Sequence, residues 1–337
     1  MNTDMKFSVE DEIKDVTFKR PHVVLLGAGA SRAAFQKGDK NGRKLPVMKD
    51  FVDVLGLDEL LCNASVKPPY DDFELIYASL CEDPDKLNIT KEIEDRIFDY
   101  FNQLELPDTP TLYDHLILSL RSKDVIATFN WDPFLLQAAM RNHRYTKLPR
   151  LIFLHGNVAI GFCKSCREKG PRGGLCKKCG NPYESSRLLY PITKKNYNVD
   201  SFIESEWKGL KGALRSAYAF TIFGYATPVS DVEAVDLLSG AWGSPGERDL
   251  EEVEIIDILK DDILTERWDR FIHTHHYQIQ SSFYDSLLSQ HPRRTCEALW
   301  SSLMDCRFLE GSRIPQNSSF NELYDFLRPR IDAETCD

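Results

Sequence analysis

The sequence predicts an α/β fold built on a doubly wound parallel sheet, and three features carry that expectation. The first is "PHVVLLGAGASRAAF" at 21–35, an apolar β-rich run that breaks at a glycine turn and continues as alanine-rich helix material. That is the opening β-turn-α unit of such a sheet. The second is the recurrence of apolar strand-like runs, "DVIATFNWD" at 124–132, "LPRLIFLHGNV" at 148–158, "SAYAFTIFGYATPVSD" at 216–231 and "EEVEIIDIL" at 251–259. The third is the helical periodicity between the first two runs, from about 48 to 122, in "VMKDFVDVLGLDELL", "YDDFELIYASLCE", "IEDRIFDYFNQL" and "TLYDHLILSLRS". Strands separated by helical stretches imply a parallel sheet covered on both faces.

The chain of 337 residues is long enough for one large domain or two modest ones. Its 42% hydrophobic and 28% charged residues are ordinary for a soluble globular protein. A net charge of -10 argues against broad nucleic-acid binding, so direct contact with nucleic acid is not expected. The N-terminal "MNTDMKFSVEDEIKD" carries charges where a signal peptide needs apolar residues, and no run is long enough to span a membrane. A cytoplasmic location follows, and the sequons at Asn63, Asn88 and Asn317 are then chance matches. The sheet unit is expected over 20–265, with a cysteine-bearing insertion at 161–182 and a helical extension over 266–337. In that extension "SSFNELYDFL" holds a capping box, Ser319 as N-cap and Glu322 three residues on. His273, His275 and His276 are expected in a helix there, as surface or packing residues whose spacing does not suit a metal.

The turn Gly27-Ala28-Gly29-Ala30-Ser31 follows a strand and opens a helix. Glycines let a backbone approach a pyrophosphate closely, and a helix N-terminus supplies N–H groups and the positive end of a dipole. A full dinucleotide fingerprint would have a third glycine near position 32, where this chain has Arg32. Nucleotide binding and a merely tight βα turn are both open from these residues alone.

Four of the nine cysteines cluster in "FCKSCREKGPRGGLCKKCGNP". Cys163 and Cys166 make one C-x-x-C pair, Cys176 and Cys179 the other, and Gly170, Pro171, Gly173 and Gly174 let the chain reverse between them. Four thiolates in closed geometry suit a structural Zn2+ ion with no open position for a substrate water; a pair of redox disulfides is the competing reading. Cys62, Cys81, Cys296, Cys306 and Cys336 are isolated and read as packed or surface thiols.

Ligands of an open α/β sheet bind beyond the carboxyl ends of its strands. The polar residues there are Ser31, then Asn130 and Asp132, then His155 and Asn157, then Tyr225 and Asp231, then Asp257. Taken singly, Asn130 and Asp132 suit a solvated turn, and a lone histidine after "LIFL" suits a core position. The strand-end placement favours a cleft, and histidine is the natural general base near neutral pH.

In this order the elements resemble the sirtuin superfamily, over roughly residues 21–260. "GAGAS" is similar to its phosphate loop, "TFNWD" to its Thr-x-Asn-x-Asp motif, "LHG" to its catalytic-histidine motif, and the paired C-x-x-C to its zinc ribbon. "FGYATPVSD" stands where the family has its Gly-Thr-Ser segment, and "EIIDI" where it has its Ile-Asn strand end. The resemblance implies a Rossmann-like doubly wound parallel sheet with a small zinc-ribbon insertion and a helical C-terminal extension. It also implies NAD+ as substrate. Asn130, His155 and Asp132 would be catalytic: Asn130 orients ribose and attacking water, Asp132 binds the carboxamide, and His155 is the base. Gly27, Ala28, Gly29, Ser31, Thr128, Gly224 and Asp257 would bind the cofactor, and Cys163, Cys166, Cys176 and Cys179 the zinc.

The departures point within the family. "FQKGDKNGRKLPVMKDF" stands where deacylases carry Thr-Phe-Arg, and "LLYPITKKNYN" where they carry the Phe-Gly-Glu loop that pairs with an acyl-lysine peptide. Gly-Tyr-x-x-Pro-x-x-Asp is more similar to the sirtuin-like NAD hydrolases of prokaryotic antiviral defence. The resemblance therefore implies an NAD+ glycohydrolase, with a protein deacylase and a non-catalytic NAD or ADP-ribose sensor as alternatives. It further implies a homo-oligomer and a HerA-type ATPase as partner.

Overall fold

The computed structural model describes residues 6–191, 197, 200–227, 231–272, 276–309 and 311–334; Pro228, His273, His275 and Cys336 lie outside that set. Six strands, labelled in chain order, form the central sheet: β1 (His22–Leu26), β2 (Val125–Thr128), β3 (Arg150–Phe153), β4 (Ala219–Phe223), β5 (Glu252–Ile256) and β6 (Tyr277–Gln280). Every neighbouring pair is parallel. Their spatial order is β3-β2-β1-β4-β5-β6. This is the Rossmann order, and right-handed crossovers then put the helices of the two halves on opposite faces. β1, β2, β4 and β5 are buried at every residue, as strands covered on both faces must be.

The helical block between β1 and β2 includes Phe51–Leu55, Asp58–Asn63, Phe73–Cys81, Leu87–Asn102 and Leu112–Leu118. Leu87–Asn102 shows why it folds: Thr90, Ile93, Ile97 and Phe101 recur at helical spacing and form its buried face. The cysteine insertion is a three-stranded antiparallel ribbon, with Ile160–Cys163 between Glu168–Pro171 and Glu184–Ser185. Lys169 Nζ ties it to the sheet domain by an ion pair of 2.5 Å to Glu206 on the helix Ser201–Ser216.

The segment after 265 departs from the expected run of helices. It supplies β6, whose Tyr277 to Gln280 pair with Val253 to Ile256 of β5. His276 therefore lies in a bend leading into a strand instead of in a helix. "YQIQ" is only four residues long and polar at alternate positions, so its strand character comes from the open edge of β5 more than from its own composition. Farther on, the capping box at Ser319 and Glu322 forms as expected, each side chain bonded to the other's backbone N–H. The tail also joins the main core through Phe283, Leu288, Ile314, Leu323 and Leu327. Buried polar contacts fasten it to the N-terminal helix, with His291 Nδ1 2.6 Å from Glu12 and Arg294 donating to the Ile13 carbonyl at 2.9 Å, while Arg293 and Arg294 hold Glu334 within the tail itself at 2.6 and 2.8 Å. No helix among the described residues is long and apolar enough to cross a membrane.

Candidate functional site

The turn after β1 and the end of β4 meet at the point where strand order reverses, the place where an open α/β sheet has its crevice. Three glycines make that meeting close. Gly224 has φ +61°, and a Cβ there would lie 2.2 Å from the backbone nitrogen of Ala30. A Cβ on Gly27 would lie 2.5 Å from the Gly224 oxygen, and one on Gly29 would lie 2.8 Å from the Gly224 Cα. The Gly29 N–H donates to the Gly224 carbonyl at 2.9 Å, and the Gly27 N–H to Phe223 at 3.0 Å. Gly27 and Gly29 thus serve packing, with their N–H groups engaged inside the chain. Ala28 is the first residue of the helix Ala28–Ala34. Arg32, where the fingerprint would have its third glycine, faces outward in an ion pair of 2.5 Å with Asp50.

Ser31, Asn130 and Asp132 form one buried cluster across the ends of β1 and β2. The Ser31 hydroxyl donates to Asp132 at 2.6 Å and accepts from Asn130 Nδ2 at 2.9 Å. The Tyr113 hydroxyl lies 2.7 Å from the same oxygen, so with Tyr113 as donor all three hydrogen-bonding capacities of Ser31 are used. Asn130 Nδ2 also donates to the Gly27 carbonyl at 2.9 Å, and Thr128 Oγ1 accepts from the Asn130 N–H at 3.0 Å. Asn157 holds the loop from behind, donating to the backbone oxygens of Asp132 at 2.6 Å and Asn130 at 3.3 Å. Burial pushes the Asp132 carboxyl up to about 6, against the pull of the Ser31 hydroxyl and the Phe134 N–H. Burial and the Asp132 charge also raise the Tyr113 phenol.

His155 follows β3 and belongs to an adjoining group. Its ring packs on Phe129 at 4.6 Å, and its Nε2 lies 3.2 Å from the Tyr197 hydroxyl and 4.0 Å from Asp231. Phe129 in turn stacks on Tyr225 at 4.3 Å, and the Tyr225 hydroxyl donates to Asp231 at 3.0 Å. Gly27, Gly29, Ser31, Thr128, Asn130, Asp132 and Gly224 are therefore brought together, with His155 one aromatic ring away. Asp257 stands apart from them: its carboxylate accepts from the Leu259 N–H at 3.0 Å and closes a turn, while its neighbour Ile256 accepts from the Gly224 N–H at 3.0 Å. Tyr113 and Tyr197 escape sequence reasoning. Tyr113 sits inside "LYDHLIL", where an aromatic residue reads as core, and the stretch around Tyr197 has no strand-end position to mark it.

The ribbon brings the Sγ atoms of Cys163, Cys166, Cys176 and Cys179 within 4.8 Å of one another, and Cys163 Sγ lies 3.6 Å from Cys179 Sγ. Four sulfurs about 2.3 Å from a tetrahedral zinc ion are separated by roughly 3.8 Å, so the set fits Zn2+. The N–H groups of Cys179 and Lys178 draw the Cys176 thiol below its ordinary value, while the neighbouring Cys179 thiol pushes Cys166 up to about 12. All four positions are protein sulfur, so the ion's role there is to hold the ribbon closed.

No family model matches the chain, and no curated protein does. Among solved structures, it is similar to a phenylalanine-to-alanine mutant of a Sir2 homologue in complex with ADP-ribose, at 13% identity, over 100% of this chain and 99% of that one, with a TM-score of 0.40. A structure concerning the mechanism and regulation of Sir2 enzymes is 16% identical over 89% of this chain and 95% of that one, with a TM-score of 0.39. A Sir2 protein bound to acetylated peptide is 15% identical over 85% and 93%, with a TM-score of 0.36. At these identities and scores the likeness adds nothing to the strand order and the site geometry, which by themselves make the chain a Rossmann-like α/β protein with a four-cysteine ribbon.

Proposed function

We propose that this protein is an NAD+ glycohydrolase, cleaving NAD+ to nicotinamide and ADP-ribose. The observation that carries the reading is the bonded cluster of Ser31, Asn130 and Asp132 at the ends of β1 and β2, beside the switch point, with His155 following β3. In the reaction the bond between ribose C1′ and the nicotinamide nitrogen breaks, its electron pair leaving with nicotinamide, while a water oxygen bonds to C1′. The water's proton passes to His155. C1′ gains oxocarbenium character on the way, and fixed dipoles in a buried site stabilise it without reorganising. Asn130 is already held by three bonded neighbours, which suits it to orient a ribose or a water. Asp132, with its carboxyl near 6, is the partner for an amide group.

The four-cysteine ribbon favours a second reading, an NAD-dependent protein deacylase, because the family's deacylases carry that module. A non-catalytic NAD or ADP-ribose sensing adaptor is the third. Nicotinamide release by the purified chain without an acyl-lysine peptide identifies the hydrolase; release only with peptide identifies the deacylase; binding without release identifies the sensor. On the same family resemblance we infer an antiphage abortive-infection role in the cytoplasm, a homo-oligomer, and a HerA-type ATPase as partner. A solution mass showing only monomer at micromolar concentration contradicts the oligomer.

A further inference from the structure

We propose that Asp231 is the positioning residue of His155: its buried carboxylate orients the imidazole and stabilises its protonated form. The inference rests on the reading of His155 as the base, but its structural half stands on geometry alone.

Asp231 occupies the N-cap position of the helix Val232–Trp242, yet its side chain makes no capping hydrogen bond. Aspartate is favoured at N-caps because its carboxylate satisfies N–H groups of the first turn. Here the carboxylate is turned into the protein, 3% exposed, with one oxygen accepting from the Tyr225 hydroxyl at 3.0 Å and the other 4.0 Å from His155 Nε2. The carboxylate is thus withdrawn from water and turned from its own helix, with a phenol and an imidazole among its neighbours. The imidazole has two aromatic neighbours. Phe129 lies against it at 4.6 Å, and Tyr197 is stacked at 5.9 Å with an interplanar angle of 12°. Its Nε2 is then aimed at the Tyr197 hydroxyl and at Asp231.

Among the described residues, the titratable groups around this ring are Asp231 on the helix that follows β4, Tyr225 at the end of β4, and Tyr197. The charge of Glu233, in the first turn of Val232–Trp242, reaches Tyr197, and that of Glu74, from Phe73–Cys81, reaches Tyr225. All three carboxylates favour a positive imidazole, and Asp231 is the one that approaches it. When a water or a ribose hydroxyl gives its proton to His155, the imidazolium formed meets a negative partner already in place. The proton moves from oxygen to imidazole nitrogen, and no other bond at Asp231 changes.

The test is an NMR titration of the labelled histidine rings in the full chain, with His155→Ala assigning the resonance, run beside a pH–rate profile of nicotinamide release. Asp231→Asn is expected to lower the His155 pKa by about one unit or more, as loss of an opposite charge at this distance does. The acid limb of the rate profile moves down in pH by the same amount, and Asp231→Glu restores part of both. An unchanged His155 titration in Asp231→Asn overturns the proposal. If Asp231→Asn does not fold, Tyr225→Phe replaces it. Loss of the phenol proton leaves more charge on Asp231, so the His155 pKa rises by a few tenths of a unit; no rise overturns the proposal. A shifted titration in a chain that never releases nicotinamide upholds the Asp231–His155 pair and removes the hydrolase reading instead.

Discussion

The hydroxyl of Ser31 donates to the carboxylate of Asp132 at 2.6 Å, joining the ends of two neighbouring strands. The bond also holds a buried carboxyl part-way toward its charged form. Burial raises Asp132 from its ordinary value to about 6, and the Ser31 hydroxyl opposes that rise. Because the folded value lies above the unfolded one, the contribution of Asp132 to stability is complete below about 4 and is lost as pH rises through about 6. Ser31→Ala is therefore expected to destabilise more at pH 8, where Asp132 is charged, than at pH 5. The cost at pH 8 should be about 1.5–3 kcal/mol, the range for hydrogen bonds to charged groups. Urea unfolding at the two pH values measures it, and equal losses at both contradict the assignment.

Gly224 and Gly212 make a matched pair of tests. A Cβ at Gly224 meets the Ala30 nitrogen at 2.2 Å from a left-handed backbone, so Gly224→Ala must push the glycine turn away from β4. We expect a loss of several kcal/mol or an insoluble chain. Gly212 lies exposed in the helix Ser201–Ser216 with open space where a Cβ would go. Gly212→Ala should raise stability by roughly 0.5–1 kcal/mol. Thermal melts of both variants suffice, and a tolerated Gly224→Ala would refute the close approach.

The ribbon should carry one zinc ion per chain, measurable by metal analysis. Its Lys169–Glu206 ion pair and its Phe162–Phe202 ring contact at 5.3 Å both reach the helix Ser201–Ser216. Chelation, or Cys163→Ser, is expected to speed hydrogen exchange across 160–185 and in that helix while β1, β2 and β4 stay protected. Unchanged exchange after chelation would show that the ion does not hold the ribbon.

Across β5, β4 and β1, Glu254 accepts from the Leu287 N–H at 2.7 Å and from Thr221 at 2.9 Å, and Thr221 lies 2.7 Å from His22. Burial raises Glu254 and Glu252 to about 7 and lowers His22 to about 4. The two carboxyls give stability that is full below about 4.5 and lost as pH rises through about 7. His22 gives stability that is full above about 6.5 and lost as pH falls through about 4. Glu254→Gln keeps the shape of the protonated acid, so it should be near neutral at pH 5 and stabilise by roughly 2–3 kcal/mol at pH 8. The same effect at both pH values would contradict it.

Much of this architecture is legible in the sequence because it depends on local pattern. β1 to β5, the helical block before β2, the glycine turn and the four cysteines each announce themselves by periodicity or spacing. What escapes depends on contacts between distant segments. β6 is a strand because β5 leaves an edge open, and Tyr113 enters the site because the helix Leu112–Leu118 passes under Ser31. Asp231 is legible as a polar strand-end residue, but its bond with Tyr225 and its approach to His155 come from the fold. Asp257 shows the reverse: a strand-end position suggests a ligand contact, and the side chain closes its own turn.

Nicotinamide release from NAD+ by the purified chain without peptide, beside Asn130→Ala and His155→Ala, decides whether the chain is a glycohydrolase. Release by the parent chain is expected, with a fall of at least 100-fold in each variant and both remaining folded. Release that survives both substitutions would place the chemistry elsewhere in the molecule, and release that requires an acyl-lysine peptide would make the protein a deacylase.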